Sequence, residues 1–131
     1  MSTLFTKIIR GEIPAEKLLE DEHYLAFLDI RPIRPGHTLV IPKLEHDYIF
    51  TLDDATLAGL LPFAKRLVPA LEKVTGCLRV GVMVAGLEVP HTHVHLVPMT
   101  AISDLNFANA RESSAEERAA LGKQIRAALG G

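Results

Sequence analysis

Histidines occupy every second position of one short segment of this 131-residue chain. Residues 89–98 read Val-Pro-His-Thr-His-Val-His-Leu-Val-Pro and hold three of the six histidines. Side chains of a β-strand alternate between the two faces of its sheet, so this spacing predicts a strand with His91, His93 and His95 on one face. The intervening threonine, valine and leucine then project to the opposite face, into a core. The chain must therefore build a sheet with one polar, functional face at this strand.

Three kinds of site use histidines in this way. The first is a structural row whose ring nitrogens are satisfied by neighbouring groups. The second is a zinc or iron site, since a His-x-His pair supplies two nitrogen ligands. His91 and His95 are about 13 Å apart in an extended strand, so one ion cannot bind all three, and His37 is the candidate for an additional ligand. The third is a histidine that attacks phosphorus.

A nucleophilic histidine needs neighbours that hold its ring. One ring nitrogen must present a lone pair to phosphorus, while the other donates its proton to a fixed acceptor. Histidines at alternate positions are about 6.6 Å apart, close enough to share hydrogen bonds through the backbone or water. The middle residue, His93, is best placed for this role.

The rest of the sequence predicts an α+β fold. Short apolar runs bounded by charged or turn residues predict strands at residues 17–20, 24–29, 38–42, 78–84 and 92–97. No repeat and no linker divides the sequence, and a chain of this length closes one hydrophobic core. We therefore expect residues 1–131 to form a single domain.

Apolar residues at three- and four-residue steps predict three helices. A short helix over residues 4–10 should end at Gly11, and a long amphipathic helix over residues 52–74 should begin at Thr51 and end at Gly76. Pro62 and Pro69 lie inside the long helix, where a kink or a break is expected. A third helix over about residues 113–129 should dock on a sheet or a second subunit.

The composition excludes several classes of partner. Lysine and arginine number 14 against 16 aspartate and glutamate residues, so the basic excess that would bind nucleic acid or an anionic membrane is absent. The single cysteine, Cys77, allows neither an internal disulfide nor a cysteine zinc site. No secretion signal or long apolar segment is recognisable. We expect a cytoplasmic protein that binds neither nucleic acid nor membranes.

Four segments, in this order, resemble the motifs of the histidine-triad (HIT) family. They are residues 5–15 (Phe-Thr-Lys-Ile-Ile-Arg-Gly-Glu-Ile-Pro-Ala), 26–30 (Ala-Phe-Leu-Asp-Ile), 35–43 (Pro-Gly-His-Thr-Leu-Val-Ile-Pro-Lys) and 91–97 (His-Thr-His-Val-His-Leu-Val). The last resembles the family's His-φ-His-φ-His-φ-φ pattern, with Thr92 at a position that is usually apolar. The resemblance covers residues 3–99 and is closest to the Hint-like nucleoside phosphoramidases.

This resemblance implies an architecture and an activity. The implied fold is α+β, with a five-stranded antiparallel sheet, a main amphipathic helix and short terminal helices, and the implied assembly is a homodimer. The implied activity is hydrolysis of purine nucleoside 5′-phosphoramidates, or related conjugates of AMP or GMP, through a nucleotidylated histidine. No cofactor is required; zinc could bind but is not expected to be catalytic.

The resemblance also implies catalytic roles. His93 would be the nucleophile, and His95 would bind phosphate and assist proton transfer. His91 would support the row largely through its backbone, and His37 would buttress the nucleophile. From the residues alone, His37 could instead be a surface residue that opens a strand after Pro-Gly.

The nucleotide-binding residues follow from the same resemblance. Asp29 would hold the ribose hydroxyls through its two carboxylate oxygens. The base would lie in an apolar slot formed by Phe5, Ile8, Phe27, Ile30 and Leu39. Without the resemblance, Asp29 could simply start a turn, and Phe27 and Leu39 could be plain core residues.

Two segments depart from the Hint-like pattern. Residues 84–90 (Val-Ala-Gly-Leu-Glu-Val-Pro) stand where those proteins carry an asparagine, a glycine-rich turn and Gly-Gln-Ser, so side-chain donors near the triad are lost. The C-terminal residues from 113 onward do not match the segment that reaches the partner's site. Two alternatives follow: a nucleotide-binding protein with little hydrolysis, or a Fhit-like dinucleoside polyphosphate hydrolase. The Fhit-like alternative is weaker, because the glutamine usual at its triad is absent.

Overall fold

The sheet has five antiparallel strands, as expected. A computed structural model describes residues 2–130. The strands are Lys17–Glu20 (β1), Tyr24–Leu28 (β2), Thr38–Pro42 (β3), Arg79–Met83 (β4) and Val94–Met99 (β5). All pairings are antiparallel, in the order β1-β2-β3-β5-β4, which leaves β4 at one edge. The fold is α+β.

Four helices accompany the sheet. They are Leu4–Ile9 (α1), Asp54–Lys65 (α2), Val68–Thr75 (α3) and Ala115–Gly130 (α4). The hydroxyl of Thr3 accepts from the Thr6 N–H at the start of α1, and Gly11 follows with φ of 78°. α4 begins where Ser114 accepts from the Glu117 N–H at 3.0 Å. At 16 residues α4 closely matches the helix expected over about residues 113–129.

The long central helix is divided in two. α2 ends at Lys65 and α3 begins at Val68, because Pro69 has no N–H to donate to the carbonyl of Lys65 and instead occupies the first turn of α3. Pro62 stays inside α2. The prediction that this helix begins at Thr51 was wrong: it begins after Asp53, whose carboxylate accepts from the Thr56 N–H at 2.9 Å.

The sheet separates two apolar clusters. One face packs against α2, α3 and α4, and its buried residues include Val40, Val94, Leu96 and Ile125. The prediction that the C-terminal helix docks on the protein is thus confirmed, because Ile125 of α4 is fully buried in this core. The opposite face lies under α1. No helix among residues 2–130 is long and apolar enough to cross a lipid bilayer.

The register of the sheet aligns three residues beneath α1. Phe27 of β2 lies opposite Leu39 of β3, which in turn lies opposite His95 of β5. Directly opposite residues share one face of an antiparallel pair. The sheet therefore brings the apolar residues of two N-terminal strands next to the last histidine of the row.

Candidate active site

The histidine row begins before its strand. β5 starts at Val94, two residues later than predicted, because the N–H and hydroxyl of Thr92 bind the carbonyls of His46 and Asp47 instead of a neighbouring strand. His91 and His93 therefore lie in the segment that leads into β5. All three histidines of the row are buried from bulk solvent.

A cavity of about 490 Å³ lies against His93 and His95. Every residue predicted to catalyse or bind lines it except His91. The lining residues that the sequence predicted are Phe5, Ile8, Phe27, Asp29, Ile30, His37, Leu39, His93 and His95. Cavities of this size hold small-molecule ligands. Segments more than 60 residues apart in the chain thus meet around one space.

The backbone fixes the proton of His93. Nδ1 of His93 lies 2.6 Å from the carbonyl oxygen of His91, and a carbonyl only accepts hydrogen bonds. Nδ1 therefore carries the ring proton and donates it. In the neutral ring this leaves Nε2 with a free lone pair, which is the form that a nucleophilic histidine requires.

A second backbone group fixes the protons of His37 and His95. The N–H of Ile33 donates to Nδ1 of His37 at 3.0 Å, so the neutral His37 ring carries its proton on Nε2. That nitrogen lies 2.9 Å from Nδ1 of His95 and donates to it. The proton of His95 is then on Nε2. The histidine pair thus presents a hydrogen-bond donor next to the lone pair of His93.

His37 contacts His95, whereas the resemblance implied that it supports the nucleophile His93. It touches His95 through the bond just described, and the rings of the two residues are 5.1 Å apart. Its side chain is 1% exposed, so the alternative of a surface histidine is wrong. His37 holds the donor histidine in place and has no hydrogen bond to His93 among the described contacts.

Burial keeps the His37–His95 pair neutral. Loss of hydration lowers the pKa of His37 to about 4, with a further contribution from nearby His93. Burial, His37 and His93 together lower the pKa of His95 to about 3. Both rings are uncharged at pH 7. The 3.6 Å between His37 Nε2 and Asp29 Oδ2 is therefore not an ion pair.

We expect the protein to lose stability as pH falls from 7 to 4.5. In this window the unfolded chain protonates both histidines, whose ordinary pKa is 6.5, while the folded protein does not, so acid favours unfolding. The loss should be on the order of 5 kcal/mol for the two histidines together, or about 15 °C in Tm. Thermal unfolding followed by circular dichroism at several pH values measures it.

Two variants make this measurement specific. His37→Gln should reduce the slope of Tm against pH, whereas His23→Gln, which changes an exposed histidine outside the cavity, should leave it unchanged. A Tm that stays constant or rises between pH 7 and 4.5 would contradict neutral burial of the pair.

His91 links three parts of the fold. Its Nε2 donates to the carbonyl of Pro42 at the end of β3, at 2.9 Å, and its Nδ1 accepts from the hydroxyl of Thr3 at 2.9 Å. Its own carbonyl oxygen accepts the hydrogen bond from Nδ1 of His93. Thr3 was not predicted to belong to the site; its position just before the motif at residues 5–15 was the available signal. The side chain of His91 thus holds the start of α1 next to the histidine row through its hydrogen bond with Thr3.

Asp29 follows β2 and lines the cavity. One carboxylate oxygen accepts from the N–H of Arg31 at 2.9 Å, so the residue does make the turn that was the simpler interpretation. The second oxygen, Oδ2, remains on the His37 side. Burial raises the pKa of this carboxyl, partly offset by the Arg31 N–H and by His93. Asp29 therefore forms the turn with one carboxylate oxygen and offers the other oxygen as an acceptor at the cavity.

The apolar slot is part of the second hydrophobic cluster. Phe5, Ile8, Phe27 and Leu39 are buried together with Leu25 and Ile41, and the rings of Phe5 and Phe27 are 5.5 Å apart. The same four residues line the cavity, so they are core residues that also face the space where the base was predicted to bind. Ile30 differs, because its side chain is mostly exposed at the rim.

One group of side chains could hold a metal ion. Among residues 2–130, only Asp29, His37 and His95 bring donor atoms within 4.8 Å of one another. The triad does not act as one ligand set. An ion bound to both histidines at this point would have to replace the hydrogen bond between His37 Nε2 and His95 Nδ1. His93 lies outside the group.

A model of the HIT domain family matches residues 10–102. The chain belongs to the HIT family. Sequence relatives include an uncharacterised HIT-like protein of Methanocaldococcus jannaschii, 42% identical over 99 residues that cover 72% of this chain and 77% of the relative. The adenosine 5′-monophosphoramidase of Saccharomyces cerevisiae is 42% identical over 96 residues, covering 72% of this chain and 61% of the yeast protein. This HIT protein thus falls in the Hint-like branch.

Solved structures of HIT proteins share the fold over nearly the whole chain. A HIT-like protein from Bartonella henselae superposes with a TM-score of 0.86 at 32% identity, covering 97% of this chain and 96% of that one. A zinc-bound histidine-triad protein from Mycobacterium smegmatis gives 0.85 at 32% identity, covering 99% and 94%. The five-stranded sheet and its helices are therefore a HIT-family architecture.

Proposed function

We propose that this HIT protein hydrolyses the phosphorus–nitrogen bond of purine nucleoside 5′-phosphoramidates, with His93 as the nucleophile. The observation that carries the proposal is the 2.6 Å hydrogen bond from His93 to the His91 carbonyl, because it leaves the Nε2 lone pair free beside a nucleotide-sized cavity. Relatives named adenosine 5′-monophosphoramidase, in yeasts, support the choice of bond.

In the first step His93 displaces the amine. The lone pair of Nε2 forms a bond to the α-phosphorus, the phosphorus–nitrogen bond breaks, and its electron pair stays on the leaving nitrogen. That nitrogen takes the proton from Nε2 of His95. The positive charge that the substituted His93 ring gains is adjacent to the negative charge left on His95, since the two rings are 4.9 Å apart.

In the second step water releases the nucleotide. The water oxygen attacks phosphorus and loses a proton to Nε2 of His95, while the bond to His93 breaks and returns the lone pair to Nε2. The products are a nucleoside monophosphate and an amine, and both histidines recover their starting protons. His37 keeps His95 oriented through both steps.

The rest of the cavity would bind the nucleoside. The purine would lie against the side chains of Phe5, Phe27 and Leu39 where they line the cavity, and the free oxygen of Asp29 would accept from the ribose hydroxyls. An ion on the His37–His95 pair would displace the hydrogen bond that orients His95, so we propose that no metal is required. The absence of a basic excess fits a single nucleotide rather than nucleic acid as the ligand.

We also propose that the protein acts in the cytoplasm as a homodimer. β4 is an edge strand that pairs only with β5 among the described residues. Leu78, Val82 and Val84 expose apolar side chains along this edge. A strand edge with exposed apolar residues pairs readily with a second copy, which would protect it.

The activity is tested with adenosine 5′-phosphoramidate and protein treated with a strong chelator. We expect multiple turnovers that release AMP and ammonia, at the same rate before and after chelation. Binding of AMP without turnover would favour the nucleotide-binding alternative, which the lost side-chain donors at residues 84–90 suggest. A rate that disappears on chelation and returns with zinc would contradict metal-free catalysis.

A further inference from the structure

The chain beyond the family match returns to the rim of the cavity. The N–H of Arg111 donates to the carbonyl of Pro32 at 3.1 Å, and the hydroxyl of Ser113 donates to the carbonyl of Ile30 at 2.9 Å. Arg118 in α4 donates to the carbonyl of Ser113 at 2.6 Å. The family match ends at residue 102. Residues 111–113, which lie outside the family match, are therefore hydrogen-bonded to the loop that follows Asp29.

This segment places one aromatic ring in the site. Phe107 lines the cavity, and its ring meets the ring of His95 edge to face at 5.0 Å. It begins a single 3-10 turn, Phe107–Asn109, held where the Asn106 side chain accepts from the Ala108 N–H and where Asn109 donates to the Ser103 carbonyl. Its side chain is 44% exposed. The ring is thus fixed in place but open to a ligand.

Four rings form a row across the site. Phe5 meets His93 at 5.1 Å, His93 meets His95 at 4.9 Å, and His95 meets Phe107 at 5.0 Å. Phe5 belongs to the buried apolar slot proposed for the base, so Phe107 stands at the opposite, exposed end. The amine that takes a proton from His95 Nε2 must lie within hydrogen-bond distance of that atom. A substituent on the amine nitrogen therefore falls next to Phe107.

We propose that Phe107 selects the leaving group, by packing against amines that carry an aromatic or other large apolar substituent. This inference rests on the proposed phosphoramidase function. Covering the apolar surface of an exposed ring contributes favourable binding free energy. Edge-to-face or offset contacts between two aromatic rings add to it. The preference belongs to a residue that the triad motif does not include.

The test compares two substrates that differ only in the amine: adenosine 5′-phosphoramidate and its N-(2-phenylethyl) derivative. The readout is the ratio of kcat/KM for the phenylethyl substrate to kcat/KM for the unsubstituted one. Phe107→Ala should lower this ratio about 3- to 10-fold, as the loss of one aromatic contact predicts. Phe107→Tyr should keep it. Phe50→Ala removes a 75% exposed ring outside the cavity and should also keep it.

The other outcomes separate the two proposals. If Phe107→Ala lowers kcat/KM equally for both substrates, the ring acts only by positioning His95, and selection of the leaving group is wrong. An unchanged ratio with unchanged rates also overturns it. Wild-type protein that hydrolyses neither substrate contradicts the phosphoramidase function itself, and the inference about Phe107 with it.

Discussion

Replacing His93 with alanine should lower kcat for adenosine 5′-phosphoramidate by about 10⁴- to 10⁶-fold, the loss typical when a covalent nucleophile is removed. AMP should still bind with an affinity within a few-fold of the wild type, because the nucleophile acts mainly in the transition state. Steady-state release of AMP measures the first effect, and titration calorimetry with AMP measures the second.

His23→Ala is the matched control for this variant. It removes an exposed imidazole outside the cavity and should leave kcat and AMP affinity unchanged. If His93→Ala retains more than a few percent of the wild-type kcat, another group is the nucleophile, and the hydrogen bond to the His91 carbonyl serves only the structure.

Replacing His95 with glutamine should lower kcat by about 10²- to 10⁴-fold, because the proton donor for the leaving amine is lost. When kcat/KM is compared instead, which reports only formation of the nucleotidylated histidine, the loss should be much smaller for a substrate whose leaving group needs no proton, such as the 4-nitrophenyl ester of AMP. Comparison of the two substrates therefore separates proton transfer from positioning. Equal losses for both would show that His95 only binds phosphate or holds the fold.

The alternation of histidines predicted their proximity but not their protonation. Which nitrogen of His93 carries the proton depends on the carbonyl of His91, and the protons of His37 and His95 depend on the N–H of Ile33. These backbone groups have no sequence signature, since every residue except proline offers both. For the same reason the sequence could not show that His37 supports His95.

Apolar patterning predicted the elements better than their ends. Gly11 and Gly76 end α1 and α3 as expected, because both adopt positive φ, at 78° and 67°. The division between α2 and α3 could only be anticipated as a kink or break, because both Pro62 and Pro69 interrupt the pattern and only one of them ends a helix.

No sequence motif identifies Phe107 as a residue of the site. It lies in a segment with short 3-10 turns and no regular period, and this segment is held beside the cavity by the hydrogen bonds of Arg111 and Ser113 and by the ion pair of Asp104 with Arg34. Contacts between segments more than 70 residues apart depend on how the sheet is assembled. The residues of the proposed binding slot, in contrast, lie within recognisable motifs, and the resemblance to the family named each of them.

The most direct test of the account is the mass of the intact protein during a single turnover. Chelator-treated wild-type protein in excess over adenosine 5′-phosphoramidate is quenched at short times and analysed by mass spectrometry. We expect a transient species heavier by one adenylyl group, with peptide mapping placing the group on His93, and no such species in His93→Ala. AMP release from wild-type protein with the adenylyl group on another residue would contradict covalent catalysis by His93.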